Sequence, residues 1–591
     1  MLVRLNAAKC IGIDAVNVKV EVDIASGIGI HIVGLVDVAV KESLLRTVTA
    51  LQAVGYKIPG KKIVINLAPA DLRKSGSGYD LPIAIGIIAA SQQEEFPLVQ
   101  EYFIMGELGL DASVRPIPGS LIFCDLSKQM GLRACILPEA SAREAAFLFA
   151  DIPVYGVRTL TDVVRILVGE EDVSDLLANR SGSASDSPAT LYPDCPPASI
   201  GSSASPGFSV NPCSSAPPLS SASPGFSINP CSSAPPLSSA SPSSPETPSG
   251  PYPDFSEIAG QEMAKRGAEI ALAGGHNIIM VGPPGSGKSL LAKAMAGIMP
   301  PLSEAEALTV CKLYSVAGKG FTFPFRCRPF RSPHYSASIA SMIGGGSSDN
   351  VLPGEITLAH NGILFLDEFA QMPKSVIEAL RGPLEDRKVS VSRLRLKVEY
   401  PASFMLVAAS NPCPCGYYGD SDRCTCTPSQ RLNYLSKLSG PIMDRIDIQL
   451  RVARIRAAEL VGNHGKKTPP PERSADVARR VALARQIQLR RFEGSGISTN
   501  AEMSDRQMAL YCQLSDDCVE LMERLIDRMS LSARAYSRVR RIARTICDLE
   551  AARQAIYCGS DEIPSPGPIR AEHIAEAVSF RFLDRNEIAK L

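Results

Sequence analysis

Gly282-Pro283-Pro284-Gly285-Ser286-Gly287-Lys288-Ser289 has the composition of an anion cradle. Glycines let the backbone turn several N–H groups inward around phosphate oxygens. A helix starting at the end of the run, LLAKAMAGIM, adds the partial positive charge of its N-terminus. Lys288 is spaced to reach the β- and γ-phosphates of a nucleoside triphosphate, and the Ser289 hydroxyl to ligate Mg²⁺. The pattern GxxxxGK[ST] requires a strand before it, and Asn277 to Val281 (NIIMV) reads as a buried one. The plain alternative is a Gly/Pro turn joining a strand to a helix. The complete pattern in its required context favours the phosphate loop.

Such a loop needs an apolar strand ending in acids. Gly362-Ile363-Leu364-Phe365-Leu366-Asp367-Glu368 has that form. Asp367 is assigned to the Mg²⁺ shell and Glu368 to polarising the attacking water; the alternative is a solvated acidic turn. A further strand, Phe404 to Ala409, ends at Ser410-Asn411. The Asn411 amide is a candidate for orienting water against the γ-phosphate, although alone it reads as a turn residue. Just beyond it Cys413, Cys415, Cys424 and Cys426 form CxC–x8–CxC. Thiolates suit tetrahedral Zn²⁺, and two close pairs can close a structural site. Four reduced thiols in a Gly/Asp-rich loop is the other reading.

The elements that position these residues follow from hydropathy patterning. Val16, Val18, Val20, Val22 and Ile24 alternate with polar residues, a half-buried strand. Ala25-Ser26-Gly27 turns the chain and Ile28, Ile30 and Ile32 alternate again, which predicts a hairpin. A helix is expected over roughly Val38 to Val54, a strand over Lys62 to Leu67 and a helix over Leu81 to Ser91. From Arg180 to Asp254 Ser, Pro, Ala and Gly dominate, and Ser203–Ser220 recurs at Ser221–Ser238 with one change, Val210 to Ile228. Two copies are too few for a stacked solenoid, and so polar a unit cannot offset its ordering entropy. The expected organisation is an α/β domain over 1–175, a disordered Ser/Pro-rich linker over 176–253, an α/β nucleotide-binding core over 254–455 and a helical region over 474–591.

With 61 basic and 61 acidic residues the chain is neither a globally basic nucleic-acid coat nor an acidic solvating protein. A local basic channel stays open. No Trp is present, so an aromatic base-stacking platform is not the first expectation. The longest apolar stretch, near Leu81 to Ala90, is too short to span a bilayer, and MLVRLNAAKCIG lacks an apolar signal core. A cytoplasmic protein with no membrane partner is expected, where its thiols stay reduced.

The strings DFSEIAGQEMAKRGAEIALAGGHNIIMVGPPGSGKS, FRSPHYSASIASMIGGG, PGEITLAHNGILFLDEF, EALRGPLEDRKVSVSR, YPASFMLVAASNPCPCGY and LSGPIMDRIDI resemble magnesium-chelatase-like AAA+ ATPases, most closely the ComM/YifB subfamily. The resemblance covers nearly all of the chain except the linker. It implies an AAA+ core with a C-terminal helical lid, ATP and Mg²⁺, and a homo-oligomeric, hexameric ring with ATP at subunit interfaces. It places Ile258, Ala259, Gly260 and Gln261 near the adenine. It makes Arg445 the finger that reaches a neighbour's γ-phosphate, where a guanidinium spreads charge over the transferring oxygens. Taken alone, Arg445 equally reads as a salt-bridge partner of Asp444 or Asp447. The segment Leu531 to Arg538 resembles the sensor-2 helix, with Arg534 the first choice of sensor arginine and Arg538 the second. Arg540, Arg541 and Arg544 solvate the helix or line a channel. Arg381 to Arg395 reads as a hairpin of the kind that faces the pore in related rings. Its Arg387, Lys388, Arg393, Arg395 and Lys397 either track a phosphate backbone or form a polar face. In FRSPHYSAS, Tyr335 replaces the second of two adjacent His, which removes any role for that imidazole.

The N-terminal region resembles a Lon-protease-like domain, whose active members use a Ser–Lys pair. Gly78 occupies the Ser position, with Ser75 and Ser77 beside it, and the Lys position falls near Leu121. An inactive interaction or regulatory domain is therefore expected. ComM-like proteins are implicated in branch migration during natural transformation, so the resemblance implies a DNA translocase or helicase. A chelatase-type motor driving metal insertion with partner subunits is the alternative, and a chaperone of protein complexes a weaker third. The Lon-like domain favours the first.

Overall fold

A computed structural model describes residues 2–146, 148–149, 151–170, 173–178, 252–319, 326–346, 351–393, 397–418, 423–438, 440–454, 471–529, 531–559 and 562–581. The repeated Ser/Pro-rich segment and Arg395 lie outside the described residues.

Alternation along Asp14–Ala25 buries Val18, Val20 and Val22 completely. This strand sits inside a seven-stranded mixed sheet. The order is Gly29–Val33, Lys62–Ala68, Asp14–Ala25, Val3–Ile11, Tyr102–Ile104, Ala134–Pro138 and Val154–Val157. The expected hairpin between the first two alternating runs does not form. Gly29–Val33 pairs in parallel with Lys62–Ala68, which itself pairs antiparallel with Asp14–Ala25. The helix Val38–Ala53 makes the crossover that a parallel pair needs. Period two fixed which face of Gly29–Val33 is apolar but not its neighbour. The helix Asp80–Ala90 is buried along its whole length, and each of its Leu and Ile side chains contributes about 2 kcal/mol by leaving water.

The core domain is built on a five-stranded sheet in the order Phe330–Arg331, Ile363–Leu366, Met405–Ser410, Ile278–Val281 and Ile448–Arg451, all parallel. Continuous apolar runs are what a parallel sheet covered on both faces requires. Ile278, Met280, Ile363, Phe365, Met405, Val407 and Ala409 pack on one face, against the C-terminal helices. Ile279, Val281, Leu364, Leu366, Leu406 and Ala408 pack on the other. The two domains meet along the helix Glu304–Val316, where Lys312 Nζ donates to Asp125 Oδ2 at 2.6 Å and Ser315 lies 3.5 Å from Ser120.

The segment 381–395 is not a hairpin throughout. Arg381–Asp386 is a short helix, closed by Arg387 in the left-handed region at φ 56°. The ribbon is Lys388–Ser392 paired with Lys397–Pro401. Val389, Val391, Val398 and Tyr400 are buried, and Lys388, Arg393 and Lys397 are exposed. Arg387 turns away from the ribbon, donating to Ser403 Oγ at 3.2 Å and pairing with Glu502 at 3.7 Å.

The C-terminal helices Ser474–Arg491, Asp505–Tyr511, Asp516–Met529, Ala533–Cys558 and Ala571–Ser579 enclose a buried polar network. The Asp548 carboxylate is fully buried and accepts from Arg491 at 2.5 and 2.8 Å, from Arg544 Nε at 3.2 Å and from Asn500 Nδ2 at 2.8 Å. Removing one partner strands buried charge. Asp548→Ala is therefore expected to cost about 3–5 kcal/mol in this region. Hydrogen exchange of the Ala533–Cys558 amides measures it, and a loss below about 1 kcal/mol, as for a surface ion pair, contradicts the assignment.

Candidate nucleotide site

Three chain segments leave the same end of the parallel sheet. The phosphate loop follows Val281, Asp367 and Glu368 follow Leu366, and Asn411 follows Ser410. This crevice at the carboxyl ends of the strands is where open α/β sheets take ligands.

The loop is shaped by its glycines. A Cβ on Gly282 would sit 2.3 Å from the Val452 carbonyl oxygen, so no other residue fits. Gly285 and Gly287 take φ of +73° and +87°, and the space beside each is open. The Ser286 hydroxyl is buried with no hydrogen-bond partner, as expected of a group facing a phosphate site. Pro283 and Pro284 stiffen the approach. Lys288 begins the helix Lys288–Ile298 and is 8% exposed. Its ammonium donates to the Gly282 carbonyl at 2.7 Å, the Pro283 carbonyl at 2.9 Å and Asn411 Oδ1 at 3.3 Å. Burial lowers its pKa against the opposing pull of Asp367 and Glu368. The Ser289 hydroxyl donates to Asp367 Oδ2 at 2.7 Å, which brings together the two groups expected to hold Mg²⁺. Asp367 Oδ1 accepts from the Glu368 amide at 2.9 Å, and Glu368 sits at φ 51°, its side chain only half-buried. The Asn411 contact with Lys288 puts that amide at the loop, beyond what a turn residue requires.

Ile258 is buried and Ala259 half-buried. Gln261 Nε2 donates to the Ala453 carbonyl at 2.6 Å, next to Val452, whose carbonyl lies against Gly282. The segment Ile258–Gln261 thus flanks the phosphate loop. An orphaned hydroxyl, open glycine positions, a buried ammonium and a Ser–Asp pair together fit a nucleoside triphosphate with Mg²⁺.

Arg445 lies at the other end of the sheet. Its carbonyl accepts from Asn277 Nδ2 at 3.0 Å, just before the strand whose far end carries the phosphate loop. The strand Ile278–Val281 spans about 13 Å, which sets this guanidinium apart from the loop Gly282–Ser289 of the same chain. Arg445 Nη1 donates to the Pro441 carbonyl at 2.7 Å and Nη2 to Glu385. Its ion pair is with Glu385 and not with Asp444 or Asp447, because those two carboxylates are taken by the helix Ala533–Cys558. Arg534 Nη1 lies 3.4 Å from Asp444 Oδ2, and Arg538 pairs with Asp447. Asp447 is fully buried, which opposes ionisation, yet Arg538 and the His276 hydrogen bond at 3.2 Å hold its carboxyl well below the usual range. The helix Ala533–Cys558 starts at Ser532, whose Oγ accepts from Ala535 N at 3.2 Å. That cap sets Arg534, Arg538 and Arg541 on one face, where they line a cavity of about 690 Å³ with Arg445. Arg534 is mostly exposed and Arg538 largely buried.

Three family descriptions match the chain in succession. "Subunit ChlI of Mg-chelatase" covers residues 20–141, "Magnesium chelatase, subunit ChlI" covers 254–460, and "Magnesium chelatase, subunit ChlI C-terminal" covers 471–559. YifB, an uncharacterised protein of Salmonella typhimurium, is 36% identical over 99% of this chain and 98% of its own. The competence protein ComM of Haemophilus influenzae is 34% identical, over 97% and 96%. The chain belongs to the ComM/YifB family of magnesium-chelatase-like AAA+ ATPases. The magnesium-chelatase 38 kDa subunit of Cereibacter sphaeroides is 25% identical over 27% of this chain and 53% of that one. Among the described residues no helix is long and apolar enough to cross a membrane.

Membership in this AAA+ family implies an ATPase-type activity. Glu385 was missed by sequence reasoning; nothing local in GPLEDR marks it as the partner of a residue near 445. In the N-terminal domain a Cβ on Gly78 would meet Met105 Cε at 2.8 Å and Ile117 Cδ1 at 3.8 Å, and Leu121 is 1% exposed. Apolar side chains fill the positions where the Lon-like resemblance puts its nucleophile and base. The four cysteine sulfurs Cys413, Cys415, Cys424 and Cys426 lie within 4.8 Å of one another. His334 is exposed and lies against Tyr335, ring centroids 4.2 Å apart.

Proposed function

We propose that this chain is one subunit of an ATP-hydrolysing homo-oligomeric ring, a hexamer, that translocates DNA and promotes branch migration in DNA uptake and recombination. The observation that carries the ring is the separation of Lys288 and Glu368 from Arg445 and Arg534 at opposite ends of one sheet. A second copy supplies what each pocket lacks. Main-chain N–H groups of Gly285 to Lys288 and the Lys288 ammonium hold the β- and γ-phosphates. Mg²⁺, held by Ser289 and Asp367, neutralises charge on the phosphate oxygens when bound. Glu368 accepts the proton of the attacking water, and Asn411 orients that water. Arg445 from the neighbour stabilises charge on the transferring group.

The DNA step is supported by full-length similarity to a competence protein and by Lys388, Arg393 and Lys397 exposed on the ribbon. Glu399 pairs with Lys397 at 3.7 Å and tempers that face. ATPase rates with single-stranded, duplex and branched DNA test the reading. Stimulation is expected to fall on the order of tenfold or more between about 50 and 200 mM salt. Lys388→Ala with Lys397→Ala should weaken the salt dependence by about one to two counterions. Equal rates with and without every DNA would overturn it. The ChlI-named matches favour a second reading, a motor subunit for metal insertion into a porphyrin by partner subunits. Similarity to the chelatase subunit covers only 27% of this chain, which ranks that reading second. Metal insertion by this chain with purified chelatase partners would reverse the order.

A further inference from the structure

We propose that Cys413, Cys415, Cys424 and Cys426 form a structural Zn²⁺ site that braces the phosphate loop, so that metal occupancy sets nucleotide affinity. The second half of this proposal rests on the nucleotide reading of Gly282–Ser289; the first half does not.

The geometry is that of one small cation. Tetrahedral zinc with four thiolates at about 2.3 Å requires sulfurs about 3.8 Å apart. Cys413 Sγ lies 3.3 Å from Cys415 Sγ and 3.9 Å from Cys424 Sγ, and Cys415 Sγ lies 3.7 Å from Cys424 Sγ. The fourth sulfur is tied in by its own contact, the Cys415 amide donating to Cys426 Sγ at 3.4 Å. Unliganded thiols gain nothing by crowding four sulfurs into one corner of a loop. Two disulfides would close pairs to about 2.05 Å, and all four cysteines are free. A multi-iron cluster needs a wider cage than sulfurs all within 4.8 Å provide. Soft ligands in tetrahedral array select Zn²⁺ over the hard cations Mg²⁺ and Ca²⁺.

The second observation ties this knot to the triphosphate crevice. Gly416 follows the second ligand, and its amide donates to the Cys413 carbonyl at 3.0 Å. It takes φ +85°, which only glycine adopts without strain. A Cβ on it would lie 2.7 Å from Pro284 Cδ and 3.8 Å from Asn411 Cγ. The backbone of the cysteine knuckle therefore packs directly on the phosphate loop. On its other side the chain leads back to Asn411, whose amide oxygen accepts from Lys288. Closing the four thiolates on one cation holds Gly416 against Pro284 and Asn411 against Lys288. Zinc binding releases the thiol protons to solvent and changes no oxidation state.

Full-length protein purified without chelator is expected to carry about one zinc per chain by elemental analysis. Cobalt loaded in its place should give thiolate charge-transfer and tetrahedral ligand-field bands. Cys424→Ser with Cys426→Ser should lose the metal and weaken ATP binding on the order of tenfold, measured with a fluorescent ATP analogue. Where that variant fails to fold, stripping zinc from the wild type with a chelator and restoring it serves the same purpose, with circular dichroism as the fold control. Gly416→Ala separates the halves: zinc retained, ATP affinity reduced. Wild type without stoichiometric zinc, or cysteine variants that keep it, would overturn the metal site. Zinc loss with unchanged ATP affinity, or an unaffected Gly416→Ala, would overturn the brace. Unchanged ATP binding in Lys288→Ala would instead remove the nucleotide reading and leave the metal site standing.

Discussion

Two inactive variants, mixed, are expected to recover about a quarter of wild-type ATPase activity. Glu368→Gln keeps the shape of the side chain proposed to activate water but cannot accept a proton, so it should bind ATP and turn over at least about a hundredfold more slowly. Arg445→Ala should fall as far, because the guanidinium is absent while charge moves onto the leaving oxygens. Neither change touches Lys288, Ser289 or the glycines, so both should hold nucleotide. The separation of the two groups decides what happens on mixing. Arg445 is anchored through Asn277 at one end of the strand Ile278–Val281 and the phosphate loop leaves the other. In the proposed ring a productive pocket needs Glu368 from one subunit and Arg445 from the next. Where an Arg445→Ala subunit presents its pocket to a Glu368→Gln neighbour, both groups are intact. Random assembly makes about one interface in four of that kind. Recovery should require time for subunit exchange and vanish on dilution to monomers. No recovery from fully exchanged rings, with each variant still binding ATP, would place the finger elsewhere. Arg534→Ala, at the same edge and largely in solvent, is expected to behave like Arg445→Ala on mixing, whereas Arg538 is occupied by Asp447 and its loss should cost stability as well.

The half of this machinery that reads locally was legible before any coordinates. Strand, loop, Lys288 and Ser289 are contiguous, and Asp367, Glu368 and Asn411 each end a short apolar run. The parallel sheet then gathers three strand ends by rules that do not depend on detail. What stayed hidden is tertiary. The partner of Arg445 is Glu385, and the carboxylates beside it in sequence are claimed by Arg534 and Arg538 on a distant helix. Charges adjacent in sequence are easily mistaken for partners when a third element competes. Gly29–Val33 has an unambiguous apolar face, but period two says nothing of which strand lies alongside. Arg387 was grouped with the basic ribbon by spacing, and a left-handed cap rotates it toward Glu502. The contact of Gly416 with Pro284 leaves no trace in composition at all.

Replacing the lysine of the phosphate loop should have the largest effect on binding itself. Lys288→Ala is expected to weaken ATP affinity by about a hundredfold or more, since charge-assisted hydrogen bonds to phosphate contribute about 1.5–3 kcal/mol each. The wild type should also show a pH signature. Burial favours the neutral amine in the free protein, so the Lys288 pKa lies below the ordinary 10.5 even with Asp367 and Glu368 nearby. Phosphate needs the ammonium form. Above the depressed pKa the free protein must take up a proton to bind, and affinity falls as pH rises. Below it the charge is already present and affinity is flat. The decline should therefore begin at a pH lower than an ordinary lysine would give, and titration calorimetry between about pH 8 and 10 measures it. Proton uptake on binding should rise over the same interval and be absent in Lys288→Arg, whose guanidinium stays charged throughout. An affinity independent of pH through this interval would mean that the Lys288 amine is not depressed below an ordinary lysine or does not meet the phosphates.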